Sequence, residues 1–132
     1  MTAAQTSKAG LRTSILTALI NGPNHQTDGT TSFQFRFPAT DPVFTGHFPG
    51  YPLLPGIFQI EMVRFATESV LENALDIREI VRAKFLRPIL PEETIRLSLK
   101  LSEEDSIIQA RATLVAGGQS AGEAALKLCR SV

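Results

Sequence analysis

From Ile57 to Leu75 the chain has no proline or glycine, and its apolar side chains do not keep to one side. At about 100° per residue, Ile57, Phe58, Ile60, Met62, Val63 and Phe65 already reach most of the way round a helix, and Ala66, Val70 and Leu71 continue the pattern. A helix that is apolar nearly all round has to be enclosed by the rest of its own domain. Pro55 suits its start, where a missing N–H costs nothing. The one gap in the apolar coat is a stripe of Glu61, Arg64, Glu68 and Glu72. The chain has 132 residues, the size of one domain, so the wrapping must come from the segments on either side.

Those segments read as strands. "TSFQFRF" sets Phe33, Phe35 and Phe37 on one face against Ser32, Gln34 and Arg36, the period of a half-buried strand. After the helix, "IVRAKFLRPIL" from Ile80, "TIRLSLKL", "IIQARATLV" and "GEAALKLCR" follow, with turn residues at Ser102–Ser106 and Ala116–Gly122. Before it, Leu11, Thr13, Ile15, Thr17 and Leu19 alternate, so residues 11–20 are expected to be a strand that "NGPN", Asn21–Asn24, ends in a turn. The expected class is α+β, with a curved antiparallel sheet around one long buried central helix. Residues 1–9, small and polar, read as a flexible end ahead of a single domain over 10–132.

Thirteen Lys and Arg balance thirteen Asp and Glu, which leaves no overall field for nucleic acid or an anionic membrane. Cys129 is the only cysteine. That excludes an internal disulfide and a cysteine-based metal cluster, and it fits a reducing compartment. No apolar run nears the roughly 18 residues of a membrane span. Met1–Arg12 lacks the apolar core of a signal peptide, so a cytoplasmic protein is expected.

Chemistry concentrates in "TGHFPGYPLLPGIFQIE", residues 45–61. Pro49, Pro52 and Pro55 pre-set the backbone between His47 and the helix start. Such stiffness suits either a crowded turn or an imidazole held for catalysis. At the helix start, the amide of Gly56 or Ile57 is a ready donor to a developing oxyanion, although Pro-Gly is also a common turn. Glu61 reads either as part of a solvated stripe with Arg64 and Glu68, or as a carboxylate crowded by Ile57, Phe58, Ile60, Met62 and Phe65 and suited to proton transfer.

Taken together, these residues resemble the active-site signature of the (3R)-hydroxyacyl-acyl-carrier-protein dehydratases of FabZ and FabA type, which have the hotdog fold. Their pattern G-H-F-P-x-x-P-x-x-P-G, an apolar tetrapeptide and then Glu or Asp is matched at Gly46, His47, Phe48, Pro49, Pro52, Pro55, Gly56 and Glu61. "RAKFLRPILPEET" is similar to the family's A-R-F-x-R-P-V-x-P-G-D strand, and the element order agrees over roughly Leu11–Val132. Two departures stand out. The family's N-terminal helix with its H-R-Y-P-F segment is not expected here, and Phe65 takes the place of a glutamine that commonly supports the catalytic glutamate.

The resemblance implies loss of water from a 3-hydroxyacyl thioester to give the trans-2-enoyl thioester, in fatty acid or polyketide and polyene synthesis. It implies His47 as the base at C2, the Gly56 amide as donor to the thioester oxygen, and Glu61 as acid for the leaving hydroxyl. Phe48, Pro55, Ile57 and Phe65 would line the substrate path. No metal or organic cofactor is implied; the substrate arrives on the phosphopantetheine of an acidic acyl carrier protein, for which Arg82, Lys84 and Arg87, with Arg64, would form a basic rim. The His and Glu of one site would come from two subunits, so a homodimer, a higher even oligomer or a heterodimer with a related subunit is expected. The rival readings are a non-catalytic or half-site partner subunit and a hotdog acyl thioesterase or hydratase.

Overall fold

The computed structural model describes residues 8–45, 50 and 52–132. Its elements are α1 (Lys8–Ala18), β1 (Leu19–His25), β2 (Thr31–Arg36), a 3-10 turn at Pro42–Phe44, α2 (Gly56–Leu71), β3 (Leu75–Phe85), β4 (Thr94–Glu104), β5 (Ile107–Ala116) and β6 (Gln119–Arg130). All six strands form one antiparallel sheet in the order β1-β2-β4-β5-β6-β3.

The period-2 segments behave as their side chains dictate. Phe33 and Phe35 of β2 are fully buried, as are Ile95, Leu97 and Leu99 of β4 and Ile108, Ala110 and Leu114 of β5. Each such apolar side chain contributes roughly 1.5–3 kcal/mol if large, so this face is what holds the sheet to its helix. The β4–β5 and β5–β6 hairpins turn through two residues each, Asp105-Ser106 and Gly117-Gly118, all four at positive φ. That geometry matches the right-handed strand twist.

The central helix α2 buries Phe58, Ile60, Met62, Val63 and Ala66 against this face, as its apolar coat requires. It is shorter than the sequence suggests. Glu72 takes a left-handed conformation at φ 52° and donates its N–H to Glu68 O, which ends the helix before β3 begins at Leu75.

Two expectations for the N-terminal part are corrected. Residues 11–18 are helical, not extended. The buried side chains there are Ile15 and Ala18, with Leu11 partly buried, and the spacing i, i+4, i+7 sets them on one helical face while Leu16 remains exposed. An N-terminal helix is therefore present, although without the H-R-Y-P-F sequence, and the sheet encloses α2 with α1 packed beside it. The expected turn at Asn21–Asn24 is instead inside β1, which absorbs Gly22 at φ 116° and a cis Gly22–Pro23 bond through two register shifts against β2. The chain reverses later, where Gln26 N–H donates to Thr30 O and Asp28 accepts from Thr30 N–H. Of the segment 1–9, residues 1–7 lie outside the described residues, and Lys8 and Ala9 belong to α1.

Candidate active site

His47 and Phe48, with Gly46, Pro49 and Tyr51, lie outside the described residues. The chain on either side of them is anchored. Asp41, buried, accepts from Val43 N–H at 2.8 Å and from the Ser14 hydroxyl of α1 at 3.1 Å, which fixes the turn that leads in. Leu54, buried, donates its N–H to Ile89 O at 2.8 Å, which fixes the segment that leads out. Pro55 then caps α2 with φ −62° and without a side-chain hydrogen bond to the helix start.

Two contacts lay α2 along β3 in opposite directions. At the helix start, a Cβ on Gly56 would lie 2.8 Å from the Phe85 ring at the end of β3. A side chain at 56 would therefore make the half-exposed Phe85 ring move aside, and glycine leaves that ring where it is. Further along the helix, the Arg64 guanidinium donates to Leu75 O at 3.4 Å, and Leu75 N–H donates to Glu68 Oε2 at 2.8 Å, at the first residue of β3. Glu61 lies on the helix between these two ties.

The Glu61 side chain is 14% exposed, and its Oε2 accepts from Arg64 Nε at 2.8 Å. Its Oε1 has no partner among the described residues. A narrow crevice between α1 and α2, lined by Leu11, Arg12 and Ile15 on one side and by Glu61, Arg64, Phe65 and Glu68 on the other, opens onto the carboxylate. Phe65 packs edge-on against Phe35 with ring centroids 6.2 Å apart. Ile57, one turn before Glu61, is exposed. The stripe through Ile57, Glu61 and Phe65 therefore runs from open helix surface into the core.

The expected basic residues divide by position. Arg64 is buried against Glu61 and is not at a rim. Arg87 is held within the chain, donating to Ala116 O at 2.8 Å and pairing with Glu93 at 3.0 Å. Burial works to raise the Glu93 pKa, but the Leu90 N–H and Arg87 outweigh it and hold the carboxyl below its usual value. Arg82 pairs with Glu123 on the outer face of the sheet. Lys84 is exposed, has no partner among the described residues, and neighbours Phe85 at the Gly56 end of α2.

A carboxylate on a nearly enclosed helix of a curved antiparallel sheet can be compared with known proteins. The profile of the ApeI-like family, described as ApeI dehydratase, matches residues 23–121. The chain belongs to that family. This hotdog dehydratase is 33% identical over 96 residues to the 3-hydroxyacyl-[acyl-carrier-protein] dehydratase FabZ of Pelotomaculum thermopropionicum, covering 67% of this chain and 69% of that one. It is 31% identical over 99 residues to FabZ of Haemophilus influenzae, covering 68% and 67%. Among solved structures, the dehydratase heterocomplex ApeI:P of Xenorhabdus doucetiae matches with TM-score 0.67 and 30% identity over 81% of this chain and 93% of that chain. The fluoroacetyl-CoA-specific thioesterase FlK matches with TM-score 0.64 at 14% identity, a likeness of fold alone.

Two residues of the dehydratase were not assigned to the reacting centre from sequence. Phe85 carried no signal beyond the likeness of "RAKFLRP" to a family strand; its role against Gly56 depends on where β3 ends. Arg64 was legible only as an i,i+3 neighbour of Glu61, a spacing that solvated helix faces share. Its burial is what separates the two cases.

Proposed function

We propose that this dehydratase acts on 3-hydroxyacyl thioesters carried by an acyl carrier protein, removing water to leave the trans-2-enoyl thioester. The observation that carries the reading is Glu61, a nearly buried carboxylate with one oxygen unpartnered among the described residues, five residues beyond a helix start at Gly56 that has no side-chain cap. The carrier-bound substrate class is that of the FabZ relatives, as their names give it.

The reaction breaks C2–H and C3–O, forms C2=C3 and releases one water. His47 takes the C2 proton, its ordinary pKa near 6.5 suiting transfer in either direction at neutral pH. The Gly56 N–H, at the positive end of α2, stabilises the charge that gathers on the thioester oxygen. Glu61 gives a proton to the departing hydroxyl. Pro55, Ile57 and Phe65 border the substrate path on the helix side, with Phe48 on the loop. No cofactor takes part. Lys84, with Arg82 beside it, is the contact for the acidic carrier.

The edge of the sheet supports the same reading. Among the described residues β3 pairs only with β6, and this edge strand carries Ile80, Val81 and Phe85, each about half exposed in the single chain. Three large apolar side chains half exposed on an eleven-residue edge strand are a surface that another chain can cover. A second copy placed there brings its own α2 beside the first and completes the site with Glu61 of one subunit and His47 of the other. The ApeI:P complex favours a variant in which a related chain takes the second place.

The test is turnover of carrier-bound 3-hydroxyacyl substrates of several lengths by wild type, His47→Ala and Glu61→Gln. Loss of roughly 100-fold or more in each variant is expected for a base and an acid. A folded dimer without wild-type turnover at any length would instead favour the partner-subunit role.

A further inference from the structure

Given that Glu61 is the acid of the proposed reaction, we infer that Arg64 is its positioning residue and decides which carboxyl oxygen carries the proton. The arginine is buried, an environment that guanidinium groups enter only when paired and hydrogen-bonded. Its Nε–H donates to Glu61 Oε2 at 2.8 Å. Its Nη1 donates to Leu75 O at 3.4 Å, which ties the same guanidinium to the start of the edge strand. An oxygen that already accepts a hydrogen bond from a guanidinium is the poorer place for a proton. In the acid form the proton is therefore carried on Oε1, the oxygen with no partner among the described residues.

The anchoring continues outward from Arg64. Leu75 N–H donates to Glu68 Oε2, and Glu68 Oε1 accepts from Arg12 of α1 at 2.9 Å. Glu61 is thus set by a planar group that is itself fixed to backbone, as a catalytic group needs if it is to stay within a few tenths of an ångström of its working place. Phe65 explains the arrangement. A side chain four residues beyond the carboxylate is packed against Phe35 and offers no donor. The donor comes instead from the residue three beyond, so packing and hydrogen bonding are divided between consecutive positions.

A merely structural staple between α2 and β3 would predict a loss of stability with normal chemistry in the folded fraction. Positioning predicts something different. In Arg64→Ala, kcat on carrier-bound 3-hydroxyacyl substrate should fall by roughly 10- to 100-fold with KM within about twofold, because the group meets no substrate and a misplaced acid slows only the chemical step. Arg64→Lys should recover part of the loss. Guanidinium or ethylguanidinium, at concentrations that leave the wild type unaffected, should restore Arg64→Ala several-fold and leave Glu61→Gln unchanged. Arg130→Gln, which removes an exposed pair to Glu103 on neither α1 nor α2, should keep kcat within about twofold and so report on the loss of an ion pair as such.

A wild-type kcat in Arg64→Ala beside an inactive Glu61→Gln overturns the inference and leaves the dehydratase reading standing. A lost kcat that neither lysine nor guanidinium restores also overturns it, because returning the cation would then not return the function assigned to it. Full turnover in Glu61→Gln removes both, since there is then no acid to position.

Discussion

The two edges of the sheet begin alike and end differently. Ile20 in β1 and Val81 in β3 both sit at register shifts, and both are about half exposed. Around Ile20 the strand is short and reads Asn-Gly-Pro-Asn. Gly22 is at φ 116°, Pro23 has no N–H, and the ladder slips twice in seven residues. Around Val81 the strand has eleven residues, with Ile80 beside it and Phe85 and Leu86 farther on, all half exposed. One edge is blunted by devices that prevent pairing, and the other has bulges of its own but keeps its apolar side chains outside. The difference teaches that exposure alone does not mark an interface; what separates the two edges is the length of the strand and the cluster of apolar side chains that β3 leaves outside. The β3 edge is also the one along which α2 lies, with Gly56 against Phe85 and Arg64 against Leu75.

The largest effect should come from Val81→Asp. On the proposed interface a carboxylate would be buried unpaired, at a cost of several kcal/mol. Dimer dissociation, followed by light scattering across a dilution series, should shift by on the order of 100-fold, and turnover should be lost with the dimer. Monomer that still turns over at the wild-type rate would separate the site from assembly.

Next is Gly22→Ala, aimed at the blunted edge. A Cβ there would lie 2.8 Å from Ser32 O and 2.9 Å from Phe33 Cα, both main chain, and the positive φ strains any side chain. The urea midpoint should fall by the equivalent of about 2–3 kcal/mol, with the oligomeric state unchanged. An unchanged midpoint would mean that β1 can straighten, and then its protection is weaker than it looks.

This contrast also explains what could be read from sequence. The wrapped helix, the Phe33-Phe35 strand and the two later hairpins each rest on a local period or a turn, and they appear where the residues place them. Residues 11–20 misled because Thr13 and Thr17 supply an alternation that the backbone does not use; burial of Ile15 and Ala18 against α2 decides for helix, and that contact is tertiary. "NGPN" misled because turn residues also serve to distort a strand edge, and only the pairing partner tells the two apart. At the site, Glu61 and Gly56 stood out through the family motif they match, while their own spacing left ordinary readings open. The partnership of Glu61 with Arg64 was visible only as one alternative, and the fate of Arg87 depended on Glu93 and Ala116, neither of which marks itself in sequence as a partner.

The smallest effect should come from Ile20→Asp, the counterpart of Val81→Asp on the opposite edge. The two side chains have the same kind of local backbone and nearly the same exposure, 55% and 51%, so a purely local view gives them equal consequences. If β1 is an edge that water keeps, the new carboxylate stays solvated and stability should change by no more than about 0.5 kcal/mol, with dimer dissociation and turnover as in the wild type. Equal dissociation by both variants would show that β1 also meets a neighbouring subunit. The complex would then extend beyond two chains, and the polar, slipped strand would be an interface of a second kind.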